Sequence, residues 1–148
     1  MSHTHLYEVS LDWQSDRKGI MYSDILNDKI EVATPPEFPK GMPGIWSPEH
    51  LLVAAVNSCL MTTFLAIAEN SKLEYLQFHS RAIGKLEQVE GKWLISEITL
   101  YPRVLIHNEH DRERAERILQ KSEAACLISN SIKAKILMET HVETAVPA

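Results

Sequence analysis

The sequence predicts an α+β domain whose elements run β-β-β-α-β-β-α-β. Two features lead to this reading: period-two apolar segments near both ends and in the middle, and a long apolar stripe at helical spacing between Ser47 and Asn70. A proline-rich break separates the first strands from that stripe. The 148 residues suffice for one domain, residues 1–148, with a buried core and without repeats or low-complexity segments.

The segment from His5 to Trp13 carries Leu6, Tyr7, Val9, Leu11 and Trp13, mostly at alternate positions, the mark of a strand with one apolar face. After a polar break from Gln14 to Gly19, Ile20 to Asp24 and Lys29 to Ala33 read as two more strands joined near Asn27-Asp28. Together they make an N-terminal β-meander. From Thr34 to Ser47 the chain holds Pro35, Pro36, Pro39 and Pro43 with Gly41 and Gly44, which excludes regular structure because each proline fixes φ and removes a donor. A surface loop is expected there.

A long central helix follows. Ser47 suits the N-cap, Pro48 the first helical position, and Glu49 the positive end of the helix dipole. Leu52, Ala55, Val56, Cys59, Leu60, Thr63, Phe64 and Ile67 recur at three and four residues, and Leu51, Val53, Ala54 and Leu65 widen the stripe, so burial on most sides is expected. Glu74 to Gln88 and Trp93 to His107 then form a β-hairpin about Glu90-Gly91, with Pro102 hinting at an edge or a bulge. Asn108 or Asp111 is expected to cap a second helix running to about Ala125, and Ala134 to Thr144 closes the domain as a final strand.

An apolar content of 45% and a charged content of 24% are those of an ordinary soluble domain. A net charge of −5 without any basic run argues against a nucleic-acid partner. The N-terminus lacks the basic-then-apolar order of a secretory signal. Leu51 to Ala68 contains Asn57, Ser58, Thr62 and Thr63 and reads as a core helix, with no membrane partner expected. The expected compartment is cytoplasmic, where cysteines are free or redox-active rather than permanent staples.

Cys59 and Cys126 admit two readings. Both suit buried positions as small hydrophobes, and their separation matches no close-spaced metal or CxxC motif. A reactive thiol needs a lowered pKa, and Cys59 sits about three turns into its helix, beyond the reach of the dipole. A cation must then be delivered to it, and arginine is the best candidate. Glu49 can hold an arginine, or it can serve only as a first-turn charge. Glu49 and Cys59 are ten residues apart, about 15 Å along one helix, so they cannot grip one guanidinium within a chain. Two copies of the helix crossing antiparallel can do so, and such a site requires a homodimer.

The histidines suggest no metal centre. His3 and His5 lie at a terminus, and His107 and His110 lack a completing cysteine or carboxylate set. A hydrolase elbow of the GxSxG type is absent.

Three segments resemble the OsmC/Ohr proteins, which include organic hydroperoxide resistance proteins. Arg17-Lys18-Gly19, with the hairpin Ile20 to Ala33 and the exit Thr34-Pro35-Pro36, is similar to the family's N-terminal hairpin. Ser47-Pro48-Glu49-His50-Leu51-Leu52, then Ala54-Ala55 and Cys59, resembles its helix opening and first cysteine. Cys126-Leu127-Ile128-Ser129-Asn130 resembles its second-cysteine motif. The chain departs at Leu127, where proline is common, and at Asn57-Ser58, where small apolar residues are usual.

The resemblance implies an OsmC-like intertwined homodimer and a thiol-dependent peroxidase. Cys59 would attack the peroxide and become a sulfenic acid, Arg17 would stabilise the thiolate and departing oxygen, and Glu49 would orient Arg17. Cys126 would resolve the sulfenic acid as a disulfide. The implied partners are a hydroperoxide substrate and an external dithiol reductant, with no bound cofactor. The alternative is a non-catalytic protein of the same fold that binds a small apolar ligand at the dimer interface.

Overall fold

Three short antiparallel strands open the chain in the computed structural model, which describes residues 3–145. They are β1 (Ser10–Ser15), β2 (Lys18–Tyr22) and β3 (Ile30–Ala33), ordered β1-β2-β3 with Trp13 opposite Gly19 and Lys18 opposite Ala33. The meander matches expectation, but β1 starts at Ser10 rather than His5. Tyr7 and Val9 are 88% and 66% exposed, so no apolar surface among the described residues covers the alternating residues that suggested an earlier start. Asp16 turns β1 into β2 with a φ of 50°. Gly19 is required by close approach, because a Cβ there would sit 2.8 Å from the carbonyl oxygen of Asp12.

The proline-rich loop is ordered by its own backbone. Phe38 N–H donates to Pro35 O, Gly41 N–H to Phe38 O and Met42 N–H to Thr34 O, at 2.9–3.1 Å. The loop returns to the meander where Ala33 N–H meets Trp46 O at 2.8 Å. These elements and the first turn of the next helix, up to Leu51, form one compact unit.

The central helix α1 spans Pro48–Asn70, with the first turn fixed as the sequence indicates. The buried Ser47 accepts the His50 N–H on Oγ at 3.1 Å, and its hydroxyl shares a second hydrogen bond with His50 Nδ1 at 2.7 Å.

The remainder, Leu52–Ala148, is a second compact unit built on a four-stranded sheet. Strands β4 (Tyr75–Val89) and β5 (Lys92–Ile106) form the hairpin, and Glu90 and Gly91 take φ of 52° and 79° in its turn, the doubly left-handed geometry that matches strand twist. The helix α2 covers Arg112–Ala125. Neither Asn108 nor Asp111 caps it with a side chain; a 3-10 turn at Glu109–Asp111 leads into it, and the Arg112 N–H bonds Glu109 O instead.

The expected final strand is two strands, β6 (Lys135–Met138) and β7 (His141–Thr144), both parallel to β5. This division accounts for Pro102, which lies at neither an edge nor a bulge. β5 is interior, and Pro102 falls between the end of β6 pairing at Leu100–Met138 and the start of β7 pairing at Arg103–His141. The missing amide is tolerated at this break between two partner strands.

Both helices pack on one face of the sheet. Phe64 and Ala68 of α1 meet Val104 and Ile106 of β5 and Ala115, Ile118 and Leu119 of α2. Val56 and Leu60 pack on Ile98 and Leu100. Helix α1 is long and apolar enough to cross a membrane by length and composition, but these contacts make it a core helix. Met61, on the same helix, stays 39% exposed.

Candidate active site

The four residues singled out in the sequence fall into two pairs. Arg17 and Glu49 line a cleft of about 650 Å³ within the N-terminal unit, beside Leu11, Trp13, Val32 and Phe38. The β1–β2 turn supplies Arg17, which is exposed, and the capped first turn of α1 supplies Glu49, which is half-buried. Glu49 Oε1 is buried and has no hydrogen-bond partner among the described residues. No ion pair joins Arg17 to Glu49 among those residues, so the cleft holds a carboxylate oxygen and a guanidinium that are both available.

Cys59 and Cys126 form the second pair, both free, buried thiols. Cys59 lies on the face of α1 that includes Val56, Leu60 and Phe64. Helix α2 ends at Ala125, and Cys126 leaves it with φ −64° and ψ 111°. The turn after it is closed by Asn130 N–H to Cys126 O at 3.1 Å and by Asn130 Nδ2 to Ala124 O at 3.3 Å. Ser131 Oγ donates to Leu127 O at 2.7 Å. The short motif after Cys126 is therefore structural in detail: Asn130 ties the turn to the end of α2 and so fixes where the thiol points.

The two thiols have unlike environments. Burial pushes the Cys59 thiol up, but hydrogen bonds from the Cys126 thiol, the Ile128 amide, the Thr63 hydroxyl and the Leu127 amide outweigh it, and the net shift is downward. Thr63 Oγ1 stands 3.9 Å from Cys59 Sγ. For Cys126, burial and then the hydrogen bond with Cys59 raise the pKa, and Ser129 offsets only part of this. Cys59 therefore ionises first, and Cys126 remains the protonated donor beside it. A thiolate facing a protonated thiol is suited to attack on an electrophile followed by internal disulfide formation.

Three of these donors were missed in the sequence. Thr63 counted there only as part of the apolar stripe, although its position one turn beyond Cys59 was a usable signal. The amides of Leu127 and Ile128 had none, because a backbone N–H is the same for almost every residue type. Asn57 and Ser58 direct their donors away from the nucleophile: Asn57 Nδ2 to Ser80 O at 2.9 Å, and Ser58 Oγ to Ala55 O at 3.3 Å. Among the described residues, no group of three His, Cys, Asp or Glu is placed to hold a metal ion.

A family model for OsmC-like protein matches residues 41–141, more than half of the chain and a span that includes Glu49, Cys59 and Cys126. The chain belongs to the OsmC-like protein family. Among curated relatives, the uncharacterized protein YmaD of Bacillus subtilis (strain 168) is 23% identical over 142 residues, covering 94% of this chain and 93% of its own. Among solved structures, an OsmC-like protein of unknown function from Vibrio cholerae superposes with a TM-score of 0.83 at 21% identity, covering 93% of this chain and 99% of that one. An organic hydroperoxide resistance protein from Elizabethkingia anophelis, with thiocyanate bound, gives a TM-score of 0.73 at 21% identity, covering 95% and 99%. At these identities the likeness shows the fold, and the OsmC-like α+β architecture is the one the sequence predicted.

Proposed function

We propose that this OsmC-like protein is a thiol-dependent peroxidase that reduces organic hydroperoxides to alcohols in the cytoplasm. The observation that carries the reading is the contact of two free buried cysteines shifted in opposite directions, Cys59 down and Cys126 up. The Cys59 thiolate attacks the outer peroxide oxygen, the O–O bond breaks, and the alkoxide takes a proton to leave as the alcohol. The resulting sulfenic acid is attacked by Cys126, water departs, and a Cys59–Cys126 disulfide forms. An external dithiol restores both thiols.

Arg17 and Glu49 act on this pair from a partner subunit in a homodimer. The helix arithmetic supports that arrangement, as do the unpartnered Glu49 Oε1 and the apolar surface left uncovered on Met61 of α1 and on β1, where Leu11 and Trp13 are 62% and 77% exposed. The cleft beside Arg17 offers apolar walls for the organic part of the substrate.

The test is a count of free thiols before and after an equimolar organic hydroperoxide, with hydrogen peroxide in parallel. Rapid loss of both thiols, one intramolecular disulfide and preference for the organic peroxide are expected. Two thiols that survive unchanged would overturn the reading.

A further inference from the structure

We propose that the sheet face turned away from the helices carries an anion-binding site, a notch at the break between β6 and β7 whose arginines take a phosphate group. The site uses neither thiol and does not rest on the peroxidase reading.

The topology makes the notch. Strand β5 changes partners between Leu100, the last residue paired with β6, and Arg103, the first paired with β7. Glu139 and Thr140 cross that gap. They are held by Glu139 N–H on Leu100 O at 2.9 Å and by the Thr140 hydroxyl on Glu116 of α2. A cavity of about 350 Å³ opens there, at the small end of the range for ligand clefts. Its walls include His79, Arg81, Tyr101, Arg103, Glu139 and His141.

Strand register gathers nitrogen donors around this cavity. His79 pairs with Arg103 and Arg103 with His141, so three such side chains stand abreast on adjacent strands. Alternation along β4 puts Arg81 on the same face as His79, opposite Tyr101. The Arg81 guanidinium lies 4.4 Å from the centroid of the Tyr101 ring, a contact that orients it and leaves its N–H groups unspent. Among the described residues neither Arg81 nor His79 makes a hydrogen bond or an ion pair.

The carboxylates of this face are unequal. Glu143 is engaged by Arg103 Nε at 3.5 Å and by His141 Nε2 at 2.8 Å. Glu139 has no such partner among the described residues and is the one opposing charge at the cavity. On a chain of net charge −5, two guanidinium groups converging on one notch mark a place for a negative ligand. A phosphate group accepts from several directions at once, and arginine forks match its oxygens. The next row of the face, Ile83, Thr99 and Leu137, leaves Ile83 and Leu137 exposed beside the notch, where the organic part of a phosphate ester can lie.

The experiment titrates the full chain with inorganic phosphate and, in parallel, with adenosine monophosphate, followed by amide chemical shifts. Chloride holds the ionic strength at about 0.15 M, where exposed charges are screened beyond about 8 Å. Saturable shifts centred on His79, Arg81, Tyr101, Arg103 and Glu139 to His141 are expected. Arg81→Gln should weaken binding about tenfold, and Lys92→Gln, an equal loss of charge beside the hairpin turn, should leave it unchanged. Glu139→Gln should tighten it. Both Arg81 and Lys92 are exposed, so their variants should keep the parent's denaturation midpoint. Tighter binding of the nucleotide than of inorganic phosphate assigns the site to an ester, and equal binding assigns it to the free anion. Shifts that grow without saturation, or equal losses in Arg81→Gln and Lys92→Gln, would overturn the site.

Discussion

Thr63 lies one helical turn beyond Cys59, and its Oγ1 stands 3.9 Å from Cys59 Sγ. Thr63→Val keeps the volume and removes the hydroxyl. Cys59 is expected to alkylate about threefold more slowly at neutral pH, a long hydrogen bond to charge being worth less than an ideal one. Alkylation kinetics at fixed pH measure this directly.

The pH dependence has a definite sign. Because the Cys59 pKa is lowered, its thiolate and its alkylation rise with pH at a midpoint below that of an ordinary thiol. The raised Cys126 pKa places the second step above that value. The pair is therefore expected to titrate in two separated steps. In Cys126→Ala the first step moves upward, because a donor to Cys59 is lost. A single step at the ordinary thiol value would contradict the two environments.

Exchange at the four site positions separates their roles. Cys59→Ser is expected to abolish peroxide consumption. Cys126→Ser should consume peroxide for one turnover and leave a sulfenic acid trappable with dimedone. Arg17→Ala is expected to lose about 100-fold in kcat/KM and Glu49→Gln about tenfold, by the scale of a removed charge-stabilising donor and a removed positioning group. Arg17 is exposed, so its variant should keep the parent's denaturation midpoint.

Much of this architecture was legible because it is written in side-chain type. Ser47, Pro48 and Glu49 marked the helix start within a residue, and Glu90-Gly91 marked a turn whose left-handed angles few other pairs accept. Apolar spacing alone was less informative at the ends. The exposed Tyr7 and Val9 continue the alternation of Leu11 and Trp13 without pairing as a strand, and the break between β6 and β7 at Glu139-Thr140 left no mark in the alternation. At the site, the cysteines were visible as residues and their inequality was not. That inequality comes from amides and a threonine brought together by the tertiary fold.

Gly84 tests the packing of α1 on the sheet. A Cβ added at this position would collide with Val53 Cγ2, because strand and helix approach closely there. Gly84→Ala is expected to destabilise the protein by about 1–3 kcal/mol in urea unfolding. The double variant with Val53→Ala should recover part of the loss through coupling between the two positions.

The hydrogen bonds gathered on Cys59 also set the oxidising strength of the disulfide in the proposed cycle. They favour the reduced pair by holding its thiolate, and they lose their charged acceptor once sulfur is bonded to sulfur. Each tenfold gain for the reduced form raises the two-electron reduction potential by about 30 mV. In the proposed cycle, such a nucleophile is expected to yield a disulfide that an external dithiol reduces readily, so that the same contacts would serve both halves of the turnover.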